Sequence, residues 1–502
     1  MVNINIMETG AIERLLKPQG LATDFSLVTD IRRPAKHTCN QVWFHDISEI
    51  FEVFLCYNKD LAFVYPPGSG KSTVAKIFQE FADCNTRTLH SSFQSYFEKC
   101  KLKTEKKELF EEFYRKCNVV LISFKDVYLG DTTLYSAKEI KEQYTNMMSA
   151  IANNAWSQPE VFNKYYLDVE SAALSKDPSS YFCSLSMLYS RLSTCKIDKK
   201  YQKGFILYDS IDCMYNEIAK ISSFELRKEL LSDFTRLFNL NTRNVKSIFF
   251  GVSPFFFTDY LKLGAGMFSI VPSASNMYTY NDEERLRLRR YHDIALNTFS
   301  YSEDDIRKTC EDINECCETD ESFKKIEIDK MIALCKEIGE YEVDGVKIMN
   351  PYLVVSYIWS FINREPYTLD VSPLSLWYKY DCTISTSITT TYGCEMLQEL
   401  QDVVNKPTIV KNFDMFASFS SIMGESVLPL FVHGGYLSVN STSMSSNEGG
   451  EKHFELKVAN KSMKIILEYS LNVLWKQWWY LRTLKYDQSS STSTSRAKRK
   501  RK

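Results

Sequence analysis

Four short apolar runs alternate with longer stretches of helical periodicity in the first half of the chain. The runs end at Tyr65, Phe124, Asp209 and Ser253, and each carries apolar side chains at nearly every position. Strands buried on both faces have this composition, and segments such as STVAKIFQEFADC supply the helices that cover those faces. The pattern predicts an α/β fold with a parallel sheet flanked by helices, and the strand ends place their side chains at one rim.

The pattern changes after about residue 290, where helical stretches such as SEDDIRKTCEDINECC and GCEMLQELQDVV become longer. The strand signals that remain are a hairpin around Asp344-Gly345 and a late pair, GGYLSV and HFELKVA. A chain of 502 residues also exceeds what one core usually organises. We predict four segments: an N-terminal extension (1–40), the α/β domain (41–290), a mainly helical region (291–480), and a disordered linker with a basic tail (481–502).

Composition indicates an intracellular globular protein. Apolar residues make up 44% of the chain, charged residues 25% and aromatic residues 14%, and the aromatic share points to large cores or an aromatic contact surface. The sequence lacks the apolar run of about 20 residues that a membrane helix needs. Fourteen cysteines are scattered without a C-x-x-C pair or a secretory signal, which favours reduced thiols over disulfides or zinc.

Charge is concentrated at the end of the chain. The net charge is −2, but the last seven residues, RAKRKRK, hold six positive charges, so everything before them carries −8. A basic cluster after the flexible SSSTSTS stretch predicts a nuclear localisation signal bound by an import receptor. Non-specific contact with nucleic acid and a remnant of cloning are the other interpretations. Without the tail, the prediction is a cytoplasmic protein.

The stretch FVYPPGSGKSTVAKIF joins a strand to a helix through a glycine-bearing turn, in the manner of a phosphate-binding P-loop. Its first position departs from the usual pattern, since Tyr65 stands where glycine is expected. Lys71 is predicted to reach the outer phosphates and Ser72 to hold Mg²⁺. The residues predicted to contact the nucleotide are Pro67, Gly68, Ser69, Gly70, Lys71, Ser72 and Thr73, and the alternative is an ordinary loop-to-helix junction.

The run GFILYDSID supplies the second element, an aspartate at the end of an apolar strand. Asp209 and Ser72 are predicted to share Mg²⁺, and Asp209 and Lys71 to be the catalytic pair of an ATPase. The alternative for Asp209 is a helix cap or a turn residue at the end of the strand. The next residue is Ser210, which cannot act as a base near neutral pH, and the nearest later acid is Asp212. We therefore predict binding of ATP and Mg²⁺ with slow or absent hydrolysis.

Three further features have competing interpretations. Ser253 is either a sensor of the γ-phosphate or a turn former. The basic run Arg285–Arg290 is either an arginine finger or a solvated helix face that pairs with the preceding acids. The segment Phe454–Lys457, FELK, has the E-x-K spacing of a metal-dependent nuclease, against which an edge strand is the simpler interpretation.

Taken in order, these motifs resemble the AAA-ATPase-like family whose members often carry a PD-(D/E)xK nuclease domain. YPPGSGKS is similar to the family's R-P-R-R-F-G-K-S, YDSID to I-D-E-Y-D with the glutamate replaced by Ser210, and FGVS to a strand end reading TGI. Looser similarities, including NTFSYSEDDIRKTCEDI, VDGVKIMNPYLVVSYI and LFVHGGYLSV, extend the resemblance over about residues 41–475. The resemblance implies an ATPase module. About 27 residues follow, which we expect to be too few for a nuclease core.

Two hypotheses follow from the sequence. The first is an ATP-binding P-loop NTPase, slow or inactive in hydrolysis and directed to the nucleus by its tail. The second is a non-catalytic scaffold with a relic P-loop that binds a protein or nucleic acid through its aromatic-rich helical region.

Overall fold

The computed structural model describes residues 46–57, 60–84, 96–98, 100–125, 127–130, 132, 134–157, 203–239, 245–252, 268–270, 282–316, 325–343, 346–362, 393–412, 428–440, 453–476 and 478–479, with isolated positions between 181 and 201.

The strands within this part of the chain are β1 Leu61–Val64, β2 Asn118–Ser123, β3 Lys196–Ile197, β4 Lys200–Tyr201, β5 Gly204–Asp209, β6 Val245–Gly251, β7 Phe268–Ile270, β8 Glu340–Val343, β9 Val346–Met349, β10 Ile409–Asn412, β11 Leu437–Asn440 and β12 His453–Val458. The helices are α1 Glu49–Cys56, α2 Lys71–Ala82, α3 Lys101–Glu105, α4 Lys107–Phe113, α5 Ala137–Ser157, α6 Ile211–Ala219, α7 Phe224–Arg236, α8 Asp282–Phe299, α9 Glu303–Cys316, α10 Ile328–Gly339, α11 Pro351–Ile362, α12 Gly393–Asn405, α13 Leu428–His433 and α14, residues 461–476.

Five strands form a parallel sheet in the order β2-β5-β6-β1-β7. The four strands predicted from apolar runs are all present and adjacent, which confirms the α/β prediction. The fifth strand, β7, was not predicted from the sequence; it pairs with β1 through three residues at the sheet edge. Because strands β1 and β5 lie on either side of β6, the loop after β1 and the end of β5 face each other across one strand.

Helices cover both faces of this sheet, and the strand residues alternate between the two cores. On β5, Phe205 and Leu207 pack into one core, and Ile206 and Tyr208 into the other. The first core contains helices α1, α2 and α8 and an aromatic cluster in which Phe54 contacts rings on β1 and β6. The second core contains α5, α6 and α7. The strands are therefore buried on both sides, as their apolar composition predicted.

The later region adds a second, antiparallel sheet with the order β10-β12-β11 and a hairpin made by β8 and β9. The hairpin is confirmed, since Val343 pairs with Val346, although Asp344 and Gly345 lie outside the described residues. The late strand pair is confirmed too. The edge-strand interpretation of the FELK segment was wrong, because β12 pairs on both sides and is the central strand of its sheet.

Helix α8 crosses the predicted boundary at residue 290. It begins at Asp282, and its residues Leu288, Tyr291 and Phe299 pack in the core shared with β1 and β6. The segment boundaries themselves stay predictions, and residues 481–502 lie outside the described part of the chain. No described helix combines the length and the apolar character needed to cross a membrane.

Candidate nucleotide site

The loop between β1 and α2 has the backbone form that its glycines predict. Gly68 and Gly70 have φ angles of 79° and 84°, a left-handed conformation that glycine adopts without steric cost. A Cβ atom at Gly70 would meet nothing within 4 Å, so the backbone angle alone requires glycine there. The helix begins directly after it, and the loop thus presents a helix N-terminus, where anions are stabilised.

Lys71 turns its side chain back onto the loop that precedes it. Its Nζ atom donates to the carbonyl oxygens of Tyr65 and Pro66, both at 2.7 Å, and to the hydroxyl of Ser69 at 3.1 Å. Lys71 and Ser69 are buried, so the ammonium lies inside the curve of the loop. A buried ammonium with hydrogen-bond acceptors around it is positioned to exchange those acceptors for phosphate oxygens.

Ser72, in the first turn of α2, and Asp209, at the end of β5, are in contact although 137 residues separate them in the chain. The hydroxyl of Ser72 donates to Oδ1 of Asp209 at 2.9 Å. Ser72 is exposed and Asp209 is buried, so the pair opens toward solvent from the serine side. A hydroxyl and a carboxylate oxygen side by side are hard ligands of the type that Mg²⁺ binds, directly or through water. The predicted metal residues are therefore in contact.

Two polar residues, Ser210 and Asp212, follow Asp209 closely in the chain. Ser210 has a left-handed backbone, with φ 57° and ψ 40°, which is strained for a residue with a Cβ atom. Asp212 is buried, and its Oδ2 accepts the Val252 N–H at 2.6 Å. A Cβ atom at Gly251 would lie 2.8 Å from that oxygen, so the carboxylate fits only because residue 251 is glycine. Asp212 thus holds the end of β6.

Asn350, on the segment before α11, contacts the loop between β1 and α2. Its Nδ2 atom donates to the carbonyl of Pro67 at 2.9 Å, and the backbone N–H of Tyr352 donates to the carbonyl of Gly68 at 3.1 Å. Asn350 is buried. In the sequence the surrounding stretch carries only a family similarity, which does not place it at the site. An Asn-Pro pair before an apolar helix signals a helix start, but it does not reveal which loop that start will touch.

Gly435 provides the second contact between the later region and the loop. It follows helix α13 with a φ of 74°, and the N–H groups of Gly435 and Tyr436 bond to the carbonyls of Val432 and Phe431, as in a Schellman cap. A Cβ atom on Gly435 would lie 2.9 Å from Cγ of Pro66. The helix cap and the close approach to the loop both depend on this glycine.

Two of the remaining candidates, Arg290 and Lys457, have ion-pair partners outside the loop. Arg290 binds both carboxylate oxygens of Glu52, at 3.0 and 2.8 Å, so this arginine of the basic run pairs with α1 rather than with the acids that precede it. Lys457 lies 3.7 Å from the carboxylate of Glu342. Within the described residues no three His, Cys, Asp or Glu side chains form a metal-binding group. Ser253 lies outside the described residues.

A buried lysine at the opposite end of the sheet has a structural role. Lys246, near the start of β6, donates to the carbonyls of Phe54 at 2.7 Å and Tyr57 at 2.5 Å, at the C-terminal end of α1. Burial lowers the pKa of Lys246 well below its ordinary value of 10.5, and the nearby Lys203 lowers it further. These bonds satisfy helix carbonyls that have no partner within the helix.

Comparison with known proteins leaves the family open. No family model matches the chain, and no curated protein matches it. The crystal structure of Cdc6p from Pyrobaculum aerophilum is similar at 9% identity and a TM-score of 0.26, over 86% of this chain and 92% of that one. A similarity this weak supports no statement about function. The resemblance to the AAA-ATPase-like family stays a prediction.

The class of protein is nevertheless defined by the chain's own geometry. A parallel sheet flanked by helices carries a glycine loop after β1, and that loop leads into the helix that bears Lys71 and Ser72. The end of β5 brings Asp209 to the same helix. This is an α/β protein with a P-loop NTPase-like fold.

Proposed function

We propose that this protein binds ATP with Mg²⁺ at the loop formed by Pro67, Gly68, Ser69, Gly70, Lys71, Ser72 and Thr73. The observation that carries the proposal is the hydrogen bond between Ser72 and Asp209. It brings the two predicted Mg²⁺ ligands together beside a buried ammonium and a helix N-terminus, and each of these groups has a role in binding a metal-bound triphosphate.

Hydrolysis is proposed to be slow or absent. The position after Asp209 carries the hydroxyl of Ser210, and Asp212 is engaged with the backbone of Val252. The loss of a general base typically lowers a rate by about 10²- to 10⁴-fold. Binding is expected to survive, because the loop, Lys71 and the metal pair supply it.

The test is a binding titration by thermal shift with ATP, ATP plus Mg²⁺, and GTP. At 100 times its dissociation constant, Mg-ATP should stabilise the wild type by about 2.7 kcal/mol. Lys71→Ala should abolish this stabilisation. Lys76→Ala is the matched control, because Lys76 lies on the same helix with its side chain exposed. Phosphate release from the same samples then measures turnover.

A scaffold with a relic loop is the second candidate. The observation that favours it is the ammonium of Lys71, which donates to three acceptors within the loop itself. In that case Mg-ATP would leave the melting temperature of the wild type unchanged. Such a result would reject the nucleotide proposal and direct attention to a protein or nucleic-acid partner.

The basic tail, residues 496–502, is proposed to bind an import receptor and direct the protein to the nucleus. The support is its charge alone, six cations in seven residues. Imaging of a fluorescent fusion with and without residues 496–502 tests it. Equal nuclear enrichment of the two proteins would remove the proposal.

A further inference from the structure

Asn350 is first of all the N-cap of helix α11. Its Oδ1 atom accepts the N–H of Tyr352 at 3.0 Å and that of Leu353 at 3.4 Å, and Pro351 occupies the first helical position. A capping side chain needs only an acceptor oxygen, which serine and aspartate also provide. The amide nitrogen of Asn350 is not required for capping, and it is this atom that contacts the phosphate loop.

The contact fixes the orientation of two peptide groups in the loop. Asn350 and the Tyr352 N–H hold the carbonyls of Pro67 and Gly68. In a trans peptide the next N–H points opposite to the carbonyl, so the N–H groups of Gly68 and Ser69 are turned away from α11. Backbone N–H groups are the phosphate ligands of such a loop, and their direction decides whether they converge.

The contact also remains available when Lys71 leaves its present partners. Phosphate binding would draw the Lys71 ammonium away from the carbonyls of Tyr65 and Pro66, which now anchor it. The bonds from Asn350 and Tyr352 lie on the following two carbonyls and do not involve Lys71. Gly435, packed against Pro66, holds the same segment from the later region.

We propose that Asn350 is a positioning residue that holds the phosphate loop in its nucleotide-accepting form, so that nucleotide affinity depends on the docking of α11. The inference rests on the proposed function. Thermodynamic linkage makes the dependence reciprocal: a nucleotide that binds the held loop more tightly must strengthen the contact of α11 with that loop. The strength of the contact between the later region and the loop therefore depends on whether a nucleotide is bound there.

The chain contains a close structural control for this inference. Asn460 caps helix α14 with Oδ1, which accepts the Met463 N–H at 3.0 Å, and its Nδ2 donates to the carbonyl of Glu340 at 3.0 Å. It makes the same two types of bond as Asn350, but its acceptor carbonyl is outside the phosphate loop. Serine at either position keeps a capping oxygen and loses the amide donor.

The experiment compares Mg-ATP affinity, by calorimetry, in wild type, Asn350→Ser and Asn460→Ser, with Asn350→Asp as a second variant that keeps both capping bonds. We expect Asn350→Ser to bind about 3- to 10-fold more weakly, the value of one hydrogen bond. Asn460→Ser should stay within about twofold of wild type. In hydrogen exchange, Mg-ATP should protect the amides of α11 in wild type and Asn460→Ser, and less in Asn350→Ser. A general loss of stability would not produce this difference.

The outcomes separate this inference from the proposed function. Binding that is lost in Lys71→Ala but unchanged in both Asn350 variants would overturn the positioning role and leave nucleotide binding intact. Wild type that shows no binding of Mg-ATP would overturn both. An equal weakening in the Asn350 and Asn460 serine variants would assign the effect to helix capping and overturn the inference as well.

Discussion

Asp209→Asn is the substitution that most directly tests the metal pair. The variant keeps the shape of the side chain and an oxygen that can accept the Ser72 hydroxyl, now 2.9 Å from Oδ1. It removes the negative charge, which is the property that Mg²⁺ recognises. Because asparagine fills the same buried position and can still accept the Ser72 hydroxyl, we expect the fold to be retained.

The magnitude follows from the loss of one charge in an otherwise intact arrangement. Asp209 is predicted to hold Mg²⁺ indirectly, by a hydrogen bond from a metal-bound water. Hydrogen bonds to charged groups contribute about 1.5 to 3 kcal/mol and neutral ones about 0.5 to 1.5 kcal/mol, a difference of about 1 to 1.5 kcal/mol. This corresponds to about 5- to 12-fold in affinity. Mg-ATP should therefore bind Asp209→Asn that much more weakly. ATP without metal should bind at least as tightly as to wild type, since a carboxylate that repels phosphate is gone.

The assay is calorimetric titration with ATP in excess Mg²⁺ and in EDTA, and the quantity compared is the ratio of the dissociation constant in EDTA to that in Mg²⁺. Asp209→Asn should reduce this ratio by about 5- to 12-fold. Asp212→Asn is the control, because its oxygen can still accept the Val252 N–H and it takes no part in the metal pair. A ratio in Asp209→Asn equal to that of wild type would refute the assignment of Asp209 to the metal.

Two further predictions concern stability. Ser210→Gly should stabilise the fold by about 0.5 to 1 kcal/mol in urea unfolding, because glycine relieves the left-handed backbone and the Ser210 side chain makes no capping bond. Ser223→Gly, which loses a capping bond to the Leu226 N–H, should not stabilise, and a gain there would contradict the reasoning. Burial raises the pKa of Cys117 and of Cys335 from 9.0 to about 12. The folded state therefore keeps protons that the unfolded thiols lose above pH 9, and stability falls as pH rises. By pH 10 each thiol should lower the free energy of unfolding by about 1.4 kcal/mol. Replacing both with alanine should therefore reduce the fall in the free energy of unfolding between pH 8 and pH 10 by about 3 kcal/mol. An unchanged dependence of stability on pH would contradict this prediction.

The elements that the sequence predicted well are those whose signal is local. Strands β1, β2, β5 and β6 have apolar residues on both faces, and the glycines at 68 and 70 specify their own backbone angles. The three-residue strand β7 is too short to carry such a signal. The central place of β12 was missed, because pairing partners decide whether a strand is an edge.

In the candidate site, too, local motifs could be predicted from the sequence and contacts between distant segments could not. Lys71, Ser72 and Asp209 could be proposed as site residues from the sequence because each lies in a local motif of a few positions. The pairing of Arg290 with Glu52 was not, because the partner lies on a helix 238 residues earlier in the chain. The role of Asp212 was missed for a related reason, since its acceptor function depends on where β6 ends.

The sequence by itself therefore determined the parallel α/β core, the glycine loop and the candidate residues for binding phosphate and metal. Only the tertiary structure decided that Asn350 and Gly435 meet that loop from the later region, about 280 and 370 residues further along the chain. Local patterns record backbone preference and burial, whereas a contact between distant segments depends on how whole elements pack. In the sequence Asn350 is one residue of a stretch that carries a family similarity, and only packing made it a neighbour of the loop between β1 and α2.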